Sequence, residues 1–235
     1  MENIIYLILL IIAIVLFKFL FKINIKKTKE IQQNKKMEEI TNRFPENVEI
    51  AEDMLEMLEM LENKGVKVEQ AKDTKISLYI AIANKISIAD MKDNYARIQT
   101  IAHECLHSCQ DRTLLLFNFI FSNINMIYFF VISILTLFKV INNQMLQIAI
   151  LMLFTLIKFS VRSFLEIDAM TRARFLAKEY IEEKKLCTDE EKELLLKEYD
   201  KINKIGIPFI VDNLLTSGLV RVLVYVILGT VPLFF

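Results

Sequence analysis

The sequence predicts a mainly α, polytopic membrane protein of about four transmembrane helices, with a small β-hairpin in its polar part. Three observations carry this. The 235-residue chain is 54% hydrophobic, with a mean hydropathy of +0.38, high for a soluble domain. The apolar residues are gathered into long blocks instead of being spread along the chain. Between the blocks lie charged stretches whose Met, Leu and Ile residues recur at helical spacing.

The first block, Asn3 to Phe21, is apolar apart from Asn3, Tyr6 and Lys18. No small-residue cleavage site follows it, so residues 1–22 read as a retained anchor and not a removed leader. Residues 23–113 form a polar part. Residues 23–47 are lysine-rich and read as a helix or a tether. Glu49 to Lys64 reads as a helix carrying Met54, Leu55, Leu58 and Leu61 and stopping at Asn63-Lys64-Gly65. Its methionines are core. Val66-Lys67-Val68 reads as a short strand. Ser77 to Ala83 and Ile86 to Ala89 read as a hairpin about Asn84-Lys85. Asp93 to Asp111 reads as a helix.

Residues 114–161 then form a transmembrane hairpin. Its arms, Leu114 to Phe138 and Met145 to Ser160, flank the polar turn Ile141-Asn142-Asn143-Gln144, and the second arm continues as helix past Ser160. Residues 162–205 return to polar helices, and 206–235 make the last span. Lys22, Lys26, Lys27, Lys29, Lys35 and Lys36 follow the first block, and Arg162, Arg172, Arg174 and Lys178 follow the third. By the positive-inside rule both polar stretches lie in the cytoplasm and both termini outside, as in a multi-pass protein of the cell membrane.

Lys+Arg and Asp+Glu are both 29, and no basic patch with interleaved aromatics is present. That argues against a nucleic-acid partner. The expected partners are the lipid bilayer and whatever the polar part acts on. Three cysteines, Cys105, Cys109 and Cys187, are an odd number on the predicted cytoplasmic side, which argues against a disulfide framework.

The two histidines of the chain are His103 and His107, with Glu104 between them in Ala102-His103-Glu104-Cys105-Leu106-His107. This is H-E-x-x-H. On a helix, positions four apart project from one face, so two imidazoles can hold one zinc ion while Glu104 serves as base toward the attacking water. The helix also carries Arg97, Gln99, Ser108, Gln110, Asp111 and Arg112, too polar for a membrane span. Cys105 and Cys109 lie about 200–240° round from His103 and read as small buried hydrophobes.

A catalytic zinc needs a third protein ligand, and a carboxylate on the same side of the membrane is the remaining choice. In Arg162 to Arg174, Glu166 shares a face with Ala169, Ala173 and Ala177, so this helix can approach another closely. Glu166 is six residues, about 9 Å, beyond Ser160. Asp168 is about 200° round from Glu166 and points elsewhere on a regular helix. The residues alone leave Glu166 divided between a ligand and a solvated or salt-bridged helix residue. An intramembrane alternative would use Asp212, a charge in the apolar fourth block.

The segment Ile101 to Gln110 resembles the A-H-E-x-G-H-A-x-Q segment of the bacterial neutral zinc metallopeptidases, a membrane family, and more distantly the heat-shock and prenyl-protein membrane metalloproteases. The order of anchor, helix, hairpin, motif helix, membrane hairpin, E-x-x-A helix and final span covers nearly the whole chain. The resemblance implies a gluzincin-like zinc-peptidase domain acting on a peptide or membrane-protein substrate. It implies that His103, His107 and Glu166 bind Zn2+, that Glu104 is the catalytic base, and that Arg172 matches an arginine of the family's helix. Asp168 and Arg172 are the supporting or substrate-facing candidates. Two departures exist. Leu106 stands for the family's glycine, and Met170 stands where the heat-shock enzymes have an aspartate supporting a zinc ligand. A non-catalytic metal-binding descendant is the alternative these departures suggest.

Overall fold

A computed structural model describes residues 2–23, 34–59, 65–71, 74 and 76–230. It is mainly helical. In chain order the elements are α1 (Glu2–Leu20), α2 (Lys35–Thr41), α3 (Asn47–Met57), β1 (Lys67–Gln70), β2 (Leu78–Ile80), β3 (Lys85–Ile88), α4 (Arg97–Cys109), α5 (Arg112–Leu137), α6 (Gln144–Lys184) and α7 (Asp189–Leu228). The chain forms two compact units. Unit 1 comprises Met1–Ile23, Phe117–Phe164 and Pro208–Phe235, and unit 2 comprises Asn24–Leu116 and Leu165–Ile207.

Three helices, α5, α6 and α7, are long and apolar enough to cross a membrane. The first block forms a shorter apolar helix, Ile4–Leu20. In unit 1, Ile132 of α5, Ile148 and Leu151 of α6, and Val222, Tyr225 and Val226 of α7 form a small core, against which Tyr6, Leu7 and Leu10 of α1 pack. The Tyr225 hydroxyl accepts from Thr136 at 3.0 Å. Many apolar side chains of this unit remain exposed, Phe119, Ile127 and Leu153 among them, as suits helices facing lipid.

Unit 2 has the larger core. Met37 and Ile40 of α2, Ile50, Met54 and Leu55 of α3, Ile86 and Ile88 of β3, and Ile98, Ile101 and Ala102 of α4 pack with Ala169, Ala173 and Ala177 of α6 and Leu195 and Tyr199 of α7. The alanine stripe lets α6 come close. Arg97 is fully buried at the start of α4. It donates to the main-chain oxygens of Thr41, Phe44 and Pro45 and to Asn47 Oδ1, holding the turn between α2 and α3.

Several boundaries differ from expectation. The motif helix begins at Arg97 and not at Asp93, because Asn94 Oδ1 accepts from the Ala96 N–H and keeps that stretch a turn. The helix expected over Glu49 to Lys64 closes at Met57, with Glu59 in the left-handed region. Residues 60–64, and 24–33 of the expected tether, lie outside the described residues. The hairpin forms, but its turn spans four residues, 81–84, with Asn84 at φ +49. The strand after α3 is Lys67–Gln70, and it pairs in parallel with β3, giving the sheet order β1-β3-β2. At the start of α7, Thr188 and Glu191 form a capping box, each side chain accepting from the other's main-chain N–H. That helix runs unbroken through Pro208, where the chain passes between its units.

Candidate metal centre

All three residues proposed as ligands belong to unit 2, two from α4 and one from α6. His103 and His107 stand one turn apart, their rings edge to face with centroids 4.6 Å apart. Both turn Nε2 to one point, 3.1 Å from each other. Glu166 Oε2 lies 3.2 Å from His103 Nε2 and 3.8 Å from His107 Nε2. Among the described residues this is the one group of histidine, cysteine and acidic side chains arranged to hold a metal ion. Glu166 and His107 are buried, and His103 is partly exposed, so the group opens on the His103 side.

The spacing fits a tetrahedral ion. Bonds of about 2.0–2.1 Å at tetrahedral angles separate ligand atoms by about 3.4 Å, and the three edges bracket that value. A point equidistant from the three atoms lies about 2.0 Å from each. Three ligand edges also leave a fourth position without a protein ligand. Two imidazoles and a carboxylate suit zinc among the divalent ions.

What orients His107 is Gln110. Its Nε2 donates to the Leu165 carbonyl at 2.8 Å and to Asp168 Oδ2 at 2.9 Å, both acceptors only. The amide oxygen is therefore turned to His107, 2.8 Å from Nδ1. His107 thus carries its proton on Nδ1 and presents the Nε2 lone pair to the group. The bonds to Leu165 and Asp168 fall on either side of Glu166 in sequence, so one side chain steadies ligands on two helices. Asp168, expected to point elsewhere, joins the site through Gln110. Arg172 Nη1 lies 3.5 Å from Asp168 and is half exposed, and its contact is with that carboxylate. His103 Nδ1 is buried with no hydrogen-bond partner among the described residues.

Glu104, also buried, accepts the Tyr79 main-chain N–H at Oε2, at 2.7 Å. The motif carboxylate therefore faces β2, an edge strand of the sheet. Tyr79 is a residue sequence reasoning missed, since a backbone donor leaves no mark in sequence. Gln110 was missed too, though it lies three residues past His107 in the segment that carried the resemblance.

The cysteines are elsewhere. Cys105 is fully buried against Ala51, with its thiol pushed up by burial, and Cys109 turns its sulfur to the Cys105 carbonyl. Leu106, the residue inside the motif between Cys105 and His107, is a core residue. Met170 extends its side chain to Gly206 of α7, while its carbonyl accepts from Asn203, which itself accepts from Gln99 of α4. This chain of amides ties α4, α6 and α7 together beside the site. Asp212 lies in unit 1, where it accepts from Thr216 at 3.3 Å, and it is not part of the group.

Comparisons with protein-family models, curated proteins and solved structures found no match to this chain.

Proposed function

We propose that the protein is a membrane zinc metallopeptidase whose zinc is held by His103, His107 and Glu166. The observation that carries this is the triangle of ligand atoms beside an H-E-x-x-H glutamate. A zinc ion there would supply Lewis acidity toward the scissile carbonyl and lower the pKa of a water. Glu104 would serve as the base toward the attacking water and as the acid toward the leaving amine. Its buried place beside β2, where it accepts from the Tyr79 N–H, supports this role. The edge of β2 that pairs with no strand among the described residues suits an extended peptide added as a further strand, its carbonyls competing for N–H groups such as that of Tyr79. The lysine and arginine distribution favours unit 2 in the cytoplasm, with membrane proteins or membrane-proximal peptides as substrates.

The unpartnered His103 Nδ1 favours a second reading, a metal-binding protein without turnover, since ligands lacking a supporting hydrogen bond bind metal less tightly. Glu104→Gln separates the two. With a peptide library as substrate, the wild type is expected to cleave, and the variant to keep zinc and lose cleavage. Zinc-loaded wild type that cleaves nothing supports the second reading, and cleavage retained in the variant defeats the mechanism.

A further inference from the structure

The outer face of the small sheet has no part in the metal chemistry, and its polarity is inverted. Side chains alternate across a strand. The register sets Tyr79 opposite Ile86, and Leu78 and Ile80 opposite Ser87 and Lys85. Ile86 and Ile88 are buried in the core of unit 2, and Tyr79 packs against that core. Leu78 and Ile80 therefore stand on the other face, with Ser87 and Lys85 of β3 and Lys67 and Glu69 of β1. Ile76 lies two residues before Leu78, and Ile82 lies two beyond Ile80, in the turn.

An antiparallel sheet with one solvated face carries polar side chains on that face. Here the outward positions of β2 are aliphatic, while Ser77, Tyr79 and Ala81 alternate with them. Ile76 is 67% exposed, Leu78 41% and Ile82 55%. An aliphatic row this open on an edge strand is an aggregation hazard unless something covers it.

Charge and position say what covers it. Residues 74–89 contain no Asp or Glu. Lys67 and Lys85 share the face of the row, and Glu69 pairs with Lys85 at 2.6 Å. Exposed pairs of this kind are weak, so Lys85 can turn from Glu69 to a phosphate. An aliphatic row edged by lysines complements an anionic lipid surface, apolar side chains to acyl chains and ammonium groups to headgroups. The position agrees. Tyr79 donates to Glu104, and the neighbouring His103 lies 3.2 Å from Glu166. Helix α6 enters unit 2 at Leu165, so Glu166 is its second residue there. These contacts tie β2 to the first turn of α6 beyond its apolar length.

We propose that the β2–β3 hairpin rests on the bilayer surface, with Ile76, Leu78, Ile80 and Ile82 in the boundary between headgroups and acyl chains and Lys67 and Lys85 against anionic headgroups. The proposal rests on the reading of α5, α6 and α7 as membrane spans and is independent of peptidase activity.

The chain has no tryptophan, so Ile82→Trp places a single fluorescent reporter on the row and Ile76→Trp a second. Full-length protein is reconstituted into vesicles of dioleoyl phosphatidylcholine and phosphatidylglycerol, part of the lipid being brominated either high or low on its acyl chains. Ile82→Trp is expected to lose about half its emission to the high bromines and less to the low ones, because an interfacial element sits about 5–10 Å into that boundary. Ile127→Trp, in the unit 1 part of α5, is expected to show the reverse order. Glu193→Trp, about 22 Å along α7 from Pro208, is expected to escape quenching. Adding Ile76→Ser and Leu78→Ser to the Ile82→Trp chain is expected to abolish its quenching. Both row reporters unquenched beside a quenched Ile127→Trp would overturn the proposal and leave the membrane reading standing. Row reporters blue-shifted yet unquenched would overturn it too, and would mean that a second copy or a bound peptide covers the row. Glu193→Trp quenched as strongly as the row would also overturn it, since lipid contact would not be confined to the hairpin. No quenching at Ile127→Trp or on the row would overturn the membrane reading and the proposal together.

Discussion

Gln110 is the most informative residue to change, because a single amide serves three partners on two helices. Gln110→Leu keeps the side-chain volume but removes the acceptor for His107 Nδ1–H and the donors to Leu165 O and Asp168 Oδ2. Losing the group that orients a metal-bound imidazole lowers metal affinity about 10–100-fold, or about 1.4–2.7 kcal/mol. The lost bonds on either side of Glu166 place the expected effect in the upper half of that range. Competition against a chromophoric chelator at pH 7, with full-length protein in detergent, measures it. Gln110→Glu is the companion variant. It restores an acceptor for His107 but sets a carboxylate against Asp168, so affinity is expected to recover only when Asp168→Asn is added. Gln110→Leu binding zinc as tightly as the wild type would refute the reasoning. A Gln110→Glu variant as weak as Gln110→Leu, and not rescued by Asp168→Asn, would refute it as well.

Glu166→Ala removes the one anionic corner of the triangle and is expected to reduce zinc from about one per chain to a trace, read by elemental analysis. Stoichiometric zinc in the variant would mean a different third ligand. Tyr95, Tyr180 and Tyr199 are fully buried in unit 2, and burial raises all three hydroxyls, Tyr95 to about 12. A raised folded pKa gives stability that is complete below the unfolded value of about 10 and is lost as pH rises through the folded one. Stability is therefore expected to fall between pH 10 and 12, by at most about 1.4 kcal/mol per pH unit for each tyrosine, and Tyr95→Phe should flatten that slope in chemical denaturation. Gly218→Leu is expected to cost more than 1–3 kcal/mol by collision with Thr155. Thr155→Ala should recover part of this, and strict additivity in the double variant would disprove the contact.

Much of this arrangement is legible in sequence, for physical reasons that can be named. The i, i+4 spacing of His103 and His107 is a local property of a helix, and local properties survive folding. The face shared by Glu166, Ala169, Ala173 and Ala177 is likewise local, and all four are buried. The misses involve groups that meet only when distant elements cross. Asp168 lies two residues, or about 200°, round α6 from Glu166, yet Gln110 reaches it from α4. Gln110 is the C-cap of α4, where ψ 163 turns the following chain out of the helix, and its long side chain crosses to α6. The parallel pairing of β1 with β3 skips the hairpin between them, so no turn residue announces it. The bond from Tyr79 to Glu104 uses a main-chain donor that every residue but proline possesses.

The buried Arg97 has a consequence for how this architecture can drift over time. Three of its four acceptors are main-chain oxygens, at Thr41, Phe44 and Pro45. So far as the guanidinium is concerned, the corner between α2 and α3 is constrained in its path and not in its letters. Distant descendants of this chain can rewrite those positions, provided the carbonyls still point inward, while the arginine itself has no such latitude. An alignment would then show the arginine held while the residues lending it main-chain oxygens change, and covariation would miss those contacts.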